Sequence, residues 1–194
     1  MDIFQAKEIL KDDLAFQSIV DFAHQVVQEL DLNFDAKILD VGTGEGNMAI
    51  TLALNGYPVI TGEPEDDHSD YSKKDWRSKA NKLQVNQLIT FKPFNAENLP
   101  FENGMFDGIF LCGCLHHMQE TVRADVMKEC VRTTSLAGII CVIEPIEAAL
   151  ELIRKAYPEH PDASDPRLYT QGLNLSEERK AGDLFTAYIF RKRD

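Results

Sequence analysis

Apolar residues at Phe16, Ile19, Val20, Ala23, Val26, Val27 and Leu30 recur at helical spacing. The N-terminal part of the chain therefore predicts one or two amphipathic helices ahead of any sheet. From there strand and helix patterns alternate. Short apolar, β-branched runs predict strands over 37–41, 58–61, 88–91, 106–111 and 138–143. Helical patterns fall between them, from Asn47, within 72–83 and over about 121–133. Strands separated by helices of this length imply right-handed βαβ units and a mostly parallel sheet covered on both faces.

After Glu144-Pro145 the rhythm changes. A short helix over 146–156 leads into a Pro- and Asp-rich stretch over 157–166, then into two strand-like segments that suit an antiparallel edge. The expected fold is α/β: Rossmann-like and doubly wound, with a mostly parallel seven-stranded sheet, an antiparallel C-terminal edge strand and N-terminal helices. It is read as one domain over 1–194, divided into an N-terminal helical cap (1–34), a core (35–145) and a C-terminal helix and strand pair (146–194). No internal repeat or low-complexity segment suggests another architecture.

Charge and composition narrow the function. Thirty-two acidic residues against 20 basic ones give a net charge of −12, which disfavours non-specific attraction to nucleic acid. No apolar run approaches the roughly 20 residues that span a bilayer, and the N-terminus lacks the pattern of a secretory signal. Cys112, Cys114, Cys130 and Cys141 fall within predicted regular elements, as expected of reduced core thiols rather than a disulfide framework. The expectation is a soluble cytoplasmic protein without nucleic-acid or membrane partners. Its oligomeric state is not legible.

The most informative segment is Ile38-Leu39-Asp40-Val41-Gly42-Thr43-Gly44-Glu45-Gly46-Asn47, a buried-type strand running through a glycine loop into a helix. Glycine lets a backbone turn tightly and lie against a ligand with no Cβ in the way. The dinucleotide fingerprint G-x-G-x-x-G would put its third glycine at position 47, yet Asn47 stands there and the glycine comes one residue early, at Gly46. That spacing favours a nucleoside ligand without pyrophosphate and disfavours a nicotinamide-dependent oxidoreductase.

Asp40 to Gly46 resembles motif I of the class I S-adenosylmethionine-dependent methyltransferases of small-molecule type. Three further segments resemble the same family in register. Glu63 follows the second strand, where an acidic side chain can accept from both ribose hydroxyls; Glu65, in the run Glu63-Pro64-Glu65-Asp66-Asp67, is an alternative for that role. Asn95-Ala96-Glu97-Asn98-Leu99-Pro100-Phe101 is similar to the family's D-A-x-x-L-P-F segment, with Asn95 where Asp is commoner. Phe106 to Met118 is similar to its F-D-x-V-x-x-x-x-x-L-H-H segment, and 132–145 to its turn and fifth strand, although Leu136-Ala137-Gly138-Ile139 lacks that turn's proline and second glycine.

The resemblance implies S-adenosylmethionine as cofactor and methyl transfer to a small-molecule acceptor. It implies cofactor contacts from Asp40, Gly42, Thr43, Gly44, Gly46, Glu63, Asn95, Ala96 and Cys112. Asp40 would meet the ammonium directly or through water, or else order the glycine turn. Asn95 would accept from the adenine amino group. His116 or His117 is the candidate general base, because imidazole titrates near neutral pH; packing against the sheet or capping the next helix is the alternative for each. The cluster Cys112-Gly113-Cys114-Leu115-His116-His117 has no C-x-x-C spacing with a distant second pair, so no metal is expected. The competing function is a non-catalytic regulatory or accessory protein that binds S-adenosylmethionine or S-adenosylhomocysteine.

Overall fold

In the computed structural model the described residues are 1–66 and 74–193. They divide into two compact units, Met1–Asn95 and Ala96–Asp194. The sheet has seven strands, three in the first unit and four in the second, and is parallel except for the two C-terminal strands.

The first unit begins with two helices, α1 (Ile3–Ile9) and α2 (Leu14–Glu29). Each starts where an aspartate satisfies an otherwise unpaired backbone N–H: Asp2 accepts from Gln5 and Asp13 accepts from Phe16. The apolar stripe of α2 is buried from Phe16 to Val27, as its spacing predicts, and it packs on α3 (Asn47–Leu54). Strands β1 (Ile38–Val41), β2 (Val59–Gly62) and β3 (Ile89–Phe91) lie in the order β3-β2-β1. Every residue of β1 is buried, as in a strand covered on both faces.

The helix expected within 72–83 is α4 (Trp76–Lys82), whose start is set by Asp75 accepting from the Ser78 N–H at 3.0 Å. Ser72, Lys73, Asp67 and His68 lie outside the described residues. Lys79 of α4 donates to the Asn47 side chain at 2.8 Å and pairs with Asp13 at 2.7 Å. The asparagine that replaces the third dinucleotide glycine thus ties the start of α3 to α4.

The second unit contains β4 (Phe106–Cys112), α5 (Glu120–Thr133), β5 (Thr134–Pro145), α6 (Glu147–Ala156), β6 (Leu175–Ala181) and β7 (Phe185–Lys192). Its strand order is β4-β5-β7-β6, with β7 antiparallel to both neighbours and β6 on the edge. One element differs from expectation: β5 starts at Thr134 rather than 138. Thr134 already pairs with Phe106, and a register shift between Phe106 and Gly108 takes up the extra residues before Gly108 pairs with Ile139. Because this stretch has no proline, none of its residues lacks the N–H that an extended chain uses.

Arg132, at the end of α5, holds the segment similar to D-A-x-x-L-P-F. Its guanidinium donates to the carbonyls of Leu99 and Phe101, both at 2.9 Å, and to the Asn103 side chain at 2.7 Å. Glu129 pairs with Arg132 and accepts from the Leu99 N–H at 2.9 Å. The hydrogen bond from Arg132 holds the Glu129 carboxyl below its ordinary pKa. None of the four cysteines is in a disulfide, and Cys130 and Cys141 are buried in α5 and β5. Cys114 lies outside helix and strand, just before a 3-10 turn at Leu115–His117, which corrects the expectation of a regular element for it.

Candidate cofactor site and histidine cluster

The glycine loop of the first unit is built on a buried polar relay. Asp40 on β1 lies opposite Thr61 on β2 in the parallel register. The Thr61 hydroxyl donates to Asp40 Oδ2 at 2.7 Å and lies 2.9 Å from the hydroxyl of Thr43. All three residues are buried. Asp40 is 1% exposed, and its Oδ1 has no hydrogen-bond partner among the described residues. Burial pushes its pKa up to about 7, against the lowering effect of the Thr61 hydrogen bond and with a further rise from the nearby Glu63 charge.

Above the relay the backbone turns through Gly42, Gly44 and Gly46, all at positive φ. The turn is closed by the Gly46 N–H donating to the Thr43 carbonyl at 2.7 Å, and the Gly42 N–H donates to the Gly62 carbonyl at 2.9 Å. Gly46 is required twice over: its φ is +76°, and a Cβ there would sit 2.6 Å from Trp76 Cβ. Trp76 is accordingly a packing residue, 6% exposed. Gly44 differs, since a Cβ there would meet nothing within 4 Å; the loop presents an open backbone face at that point. Glu63 reaches back over the loop and accepts from the Gly44 N–H at 3.1 Å. The acid beyond β2 and the glycine loop thus form one locus. Asn95 is exposed at the end of this unit.

Thr61 and Gly62 were not singled out in the sequence. A Cβ on Gly62 would lie 1.8 Å from the Lys92 carbonyl oxygen, so only glycine fits between β2 and the chain after β3. No local signal marks Thr61, which gains its role only through the β1–β2 register.

In the second unit Ala96 is buried, and Cys112 is half-buried at the carboxyl end of β4. Gly113 donates to the Ile143 carbonyl at 2.8 Å, and the 3-10 turn that follows carries both candidate bases. His116 is buried, its Nδ1 2.8 Å from Glu144 Oε2, and the same oxygen accepts from the Ser164 N–H at 2.9 Å. His117 lies beside it with ring centroids 4.2 Å apart. Desolvation and the two neighbouring imidazoles lower the His117 pKa to about 4, so its ring is a weak proton acceptor at neutral pH.

His160, from the Pro- and Asp-rich stretch, completes the group at 5.1 Å from His116 and 4.9 Å from His117. Arg123 fixes the surroundings, donating to the carbonyls of His116 and Met118 and to the hydroxyls of Ser164 and Tyr169. Neither Glu144 nor His160 was among the expected site residues. Their side chains meet His116 only through tertiary structure.

Residues 39–142 match the family described as "Methyltransferase domain". The chain belongs to this family. Among curated relatives, the O-methyltransferase rstn1 of Aspergillus nomiae is 32% identical over 110 residues, covering 56% of this chain and 42% of the relative. The 27-O-demethylrifamycin SV methyltransferase of Amycolatopsis mediterranei is 27% identical over 126 residues, covering 63% and 44%. The chain thus spans less than half the length of either relative. Among solved structures, a candidate S-adenosyl-L-methionine-dependent methyltransferase of Methanococcus maripaludis superposes with a TM-score of 0.72 at 19% identity. That superposition covers 100% of this chain and 94% of that one, and it establishes the fold.

Proposed function

We propose that this methyltransferase-family chain binds S-adenosylmethionine at the Gly42–Gly46 loop and transfers its methyl group to a small-molecule acceptor. The observation that carries the reading is the orphaned, buried Asp40 Oδ1 beneath a glycine loop whose Gly44 face is open, with Glu63 bonded to that same glycine. These residues fit the proposed ligand. A sulfonium-bearing amino acid joined to a ribose offers cationic and hydroxyl donors, and the locus offers two carboxylates and a backbone surface without side chains.

When bound, S-adenosylmethionine supplies an already activated methyl group. The tasks left to the protein are holding donor and acceptor in line and excluding water, together worth about 7–11 kcal/mol of barrier. Gly42, Thr43, Gly44 and Gly46 shape the resting surface. Thr61 and Thr43 orient the Asp40 carboxylate, whose unpartnered oxygen is the acceptor for the cationic end. Glu63 is the ribose acid. By the family pattern, Asn95, Ala96 and Cys112 are further cofactor contacts.

The names of the two relatives point to an oxygen acceptor on a small molecule. The net charge of −12 speaks against nucleic acid. No helix among the described residues is long and apolar enough to cross a membrane; with four cysteines outside disulfides, the cytoplasm is the compartment we assign.

The test is turnover. Purified chain with S-adenosylmethionine and a panel of phenolic and aliphatic alcohol acceptors should release S-adenosylhomocysteine with at least one of them. Binding of S-adenosylmethionine without turnover on any acceptor would instead favour a non-catalytic role.

A further inference from the structure

Three imidazoles from two separate stretches of the second unit converge. One ring nitrogen each from His116, His117 and His160 lies within 4.8 Å of the others. The two best-defined rings have their tautomers set by their surroundings. Glu144 Oε2 accepts from the Ser164 N–H and also faces His116 Nδ1 at 2.8 Å. A carboxylate can only accept, so in the neutral ring His116 Nδ1 carries the proton and Nε2 the lone pair. His160 Nδ1 lies 3.0 Å from the Pro161 carbonyl, also an acceptor, which leaves the His160 lone pair on Nε2 as well.

A carboxylate or carbonyl behind a histidine, fixing its tautomer and turning the other nitrogen outward, is the outer shell found behind metal-bound imidazoles. His116 Nε2 is moreover buried and has no hydrogen-bond partner among the described residues, in a residue only 4% exposed. A buried ring nitrogen of this kind usually has a partner.

The third ring suits the same chemistry. The His117 ring centroid lies 4.2 Å from that of His116 and 4.9 Å from that of His160. His160 is held in place independently of any ligand. Its N–H donates to the Tyr157 carbonyl at 3.0 Å, its carbonyl accepts from Arg154 at 3.2 Å, and Arg154 also pairs with Asp162.

We propose that His116, His117 and His160 bind one divalent first-row transition ion, with Glu144 and the Pro161 carbonyl as the outer shell. Zinc is the ion of choice for neutral imidazoles. Three protein ligands leave one tetrahedral position for water or an exogenous oxygen or sulfur donor, as in catalytic rather than closed structural sites. This departs from the expectation of no metal, which considered only the Cys112-to-His117 segment and lacked His160.

The experiment uses the tag-free full chain, stripped with a chelator and titrated with Co²⁺ and then with Zn²⁺ as competitor. One Co²⁺ per chain should bind with visible d–d absorption, without a thiolate charge-transfer band, and Zn²⁺ should displace it. His160→Ala should abolish the saturable phase while near-ultraviolet circular dichroism shows the fold retained. Glu144→Gln should weaken affinity by about 10–100-fold. The double variant Cys112→Ser, Cys114→Ser should bind as the parent does. Absence of stoichiometric binding, binding unchanged in His160→Ala, or a thiolate band lost in the cysteine variant would each overturn the proposal, whatever the outcome of S-adenosylmethionine binding.

Discussion

Thr61 and Asp40 face each other across β1 and β2, and the threonine hydroxyl donates to the aspartate at 2.7 Å inside the core. This bond positions the Asp40 carboxylate beneath the loop rather than out toward solvent. Thr61→Val keeps the shape but leaves Asp40 Oδ2 without its donor. It should cost about 1–3 kcal/mol of stability, read as a lower urea midpoint with an unchanged slope.

The raised pKa of Asp40 gives stability a characteristic pH dependence. Between the ordinary carboxyl value of 3.8 and about 7 the folded state holds a proton that the unfolded state has released. Stability contributed by protonated Asp40 is therefore complete below about 3.8 and is lost as pH rises toward 7. Asp40→Asn, which cannot ionise, should lack this component. The stability of the Asp40→Asn variant relative to the parent should therefore rise between about pH 4 and pH 7 and then level off. A difference independent of pH would mean that Asp40 titrates normally.

The glycines of the loop separate folding from binding. Gly46→Ala drives a Cβ into Trp76 at 2.6 Å and should cost roughly 1–3 kcal/mol, in the range of strain at special backbone positions. Gly44→Ala meets no neighbour within 4 Å and carries only the backbone penalty of about 1–2 kcal/mol. Its methyl would stand on the open face, so it should weaken S-adenosylmethionine binding by about tenfold or more, a loss of at least about 1.4 kcal/mol. Paired denaturation and calorimetry on the two variants check the contrast.

Arg132 makes a different kind of prediction. Its bonds to Leu99, Phe101 and Asn103 join α5 to the 99–103 segment, and they are partly solvent-exposed. Arg132→Ala should cost about 1–2 kcal/mol and raise hydrogen exchange selectively at Leu99 and Gly104, whose N–H groups bond to Glu129 and to the Arg132 carbonyl. A uniform rise in exchange across the second unit would count against a local clasp.

Much of this was legible in the sequence because the requirements are local. A glycine turn after a buried strand needs its glycines closely spaced in one short segment, and an acid at the end of the next strand needs only the strand to be located. The alternation of strands and helices likewise located the sheet. Thr61 was not legible: one threonine in a short β-branched strand reads as ordinary strand chemistry until the register sets it opposite Asp40. Nor was His160, which sits in an irregular Pro- and Asp-rich stretch far along the chain from His116. The longer β5 was missed because the bulge opposite Phe106 depends on pairing with β4 and leaves no local pattern.

The central claim is that the loop over Asp40, together with Glu63, is an S-adenosylmethionine site. Thermal unfolding with S-adenosylmethionine, S-adenosylhomocysteine and NAD, each added separately, tests it most directly. A ligand at about 100 times its dissociation constant adds about 2.7 kcal/mol, or about 5–10 °C for a chain of this size. The account predicts a rise of that order with both adenosyl ligands, none with NAD, and a reduced rise in Asp40→Ala and Glu63→Ala. No rise at millimolar adenosyl ligand in a folded, ligand-free preparation, or an equal rise with NAD, would contradict it.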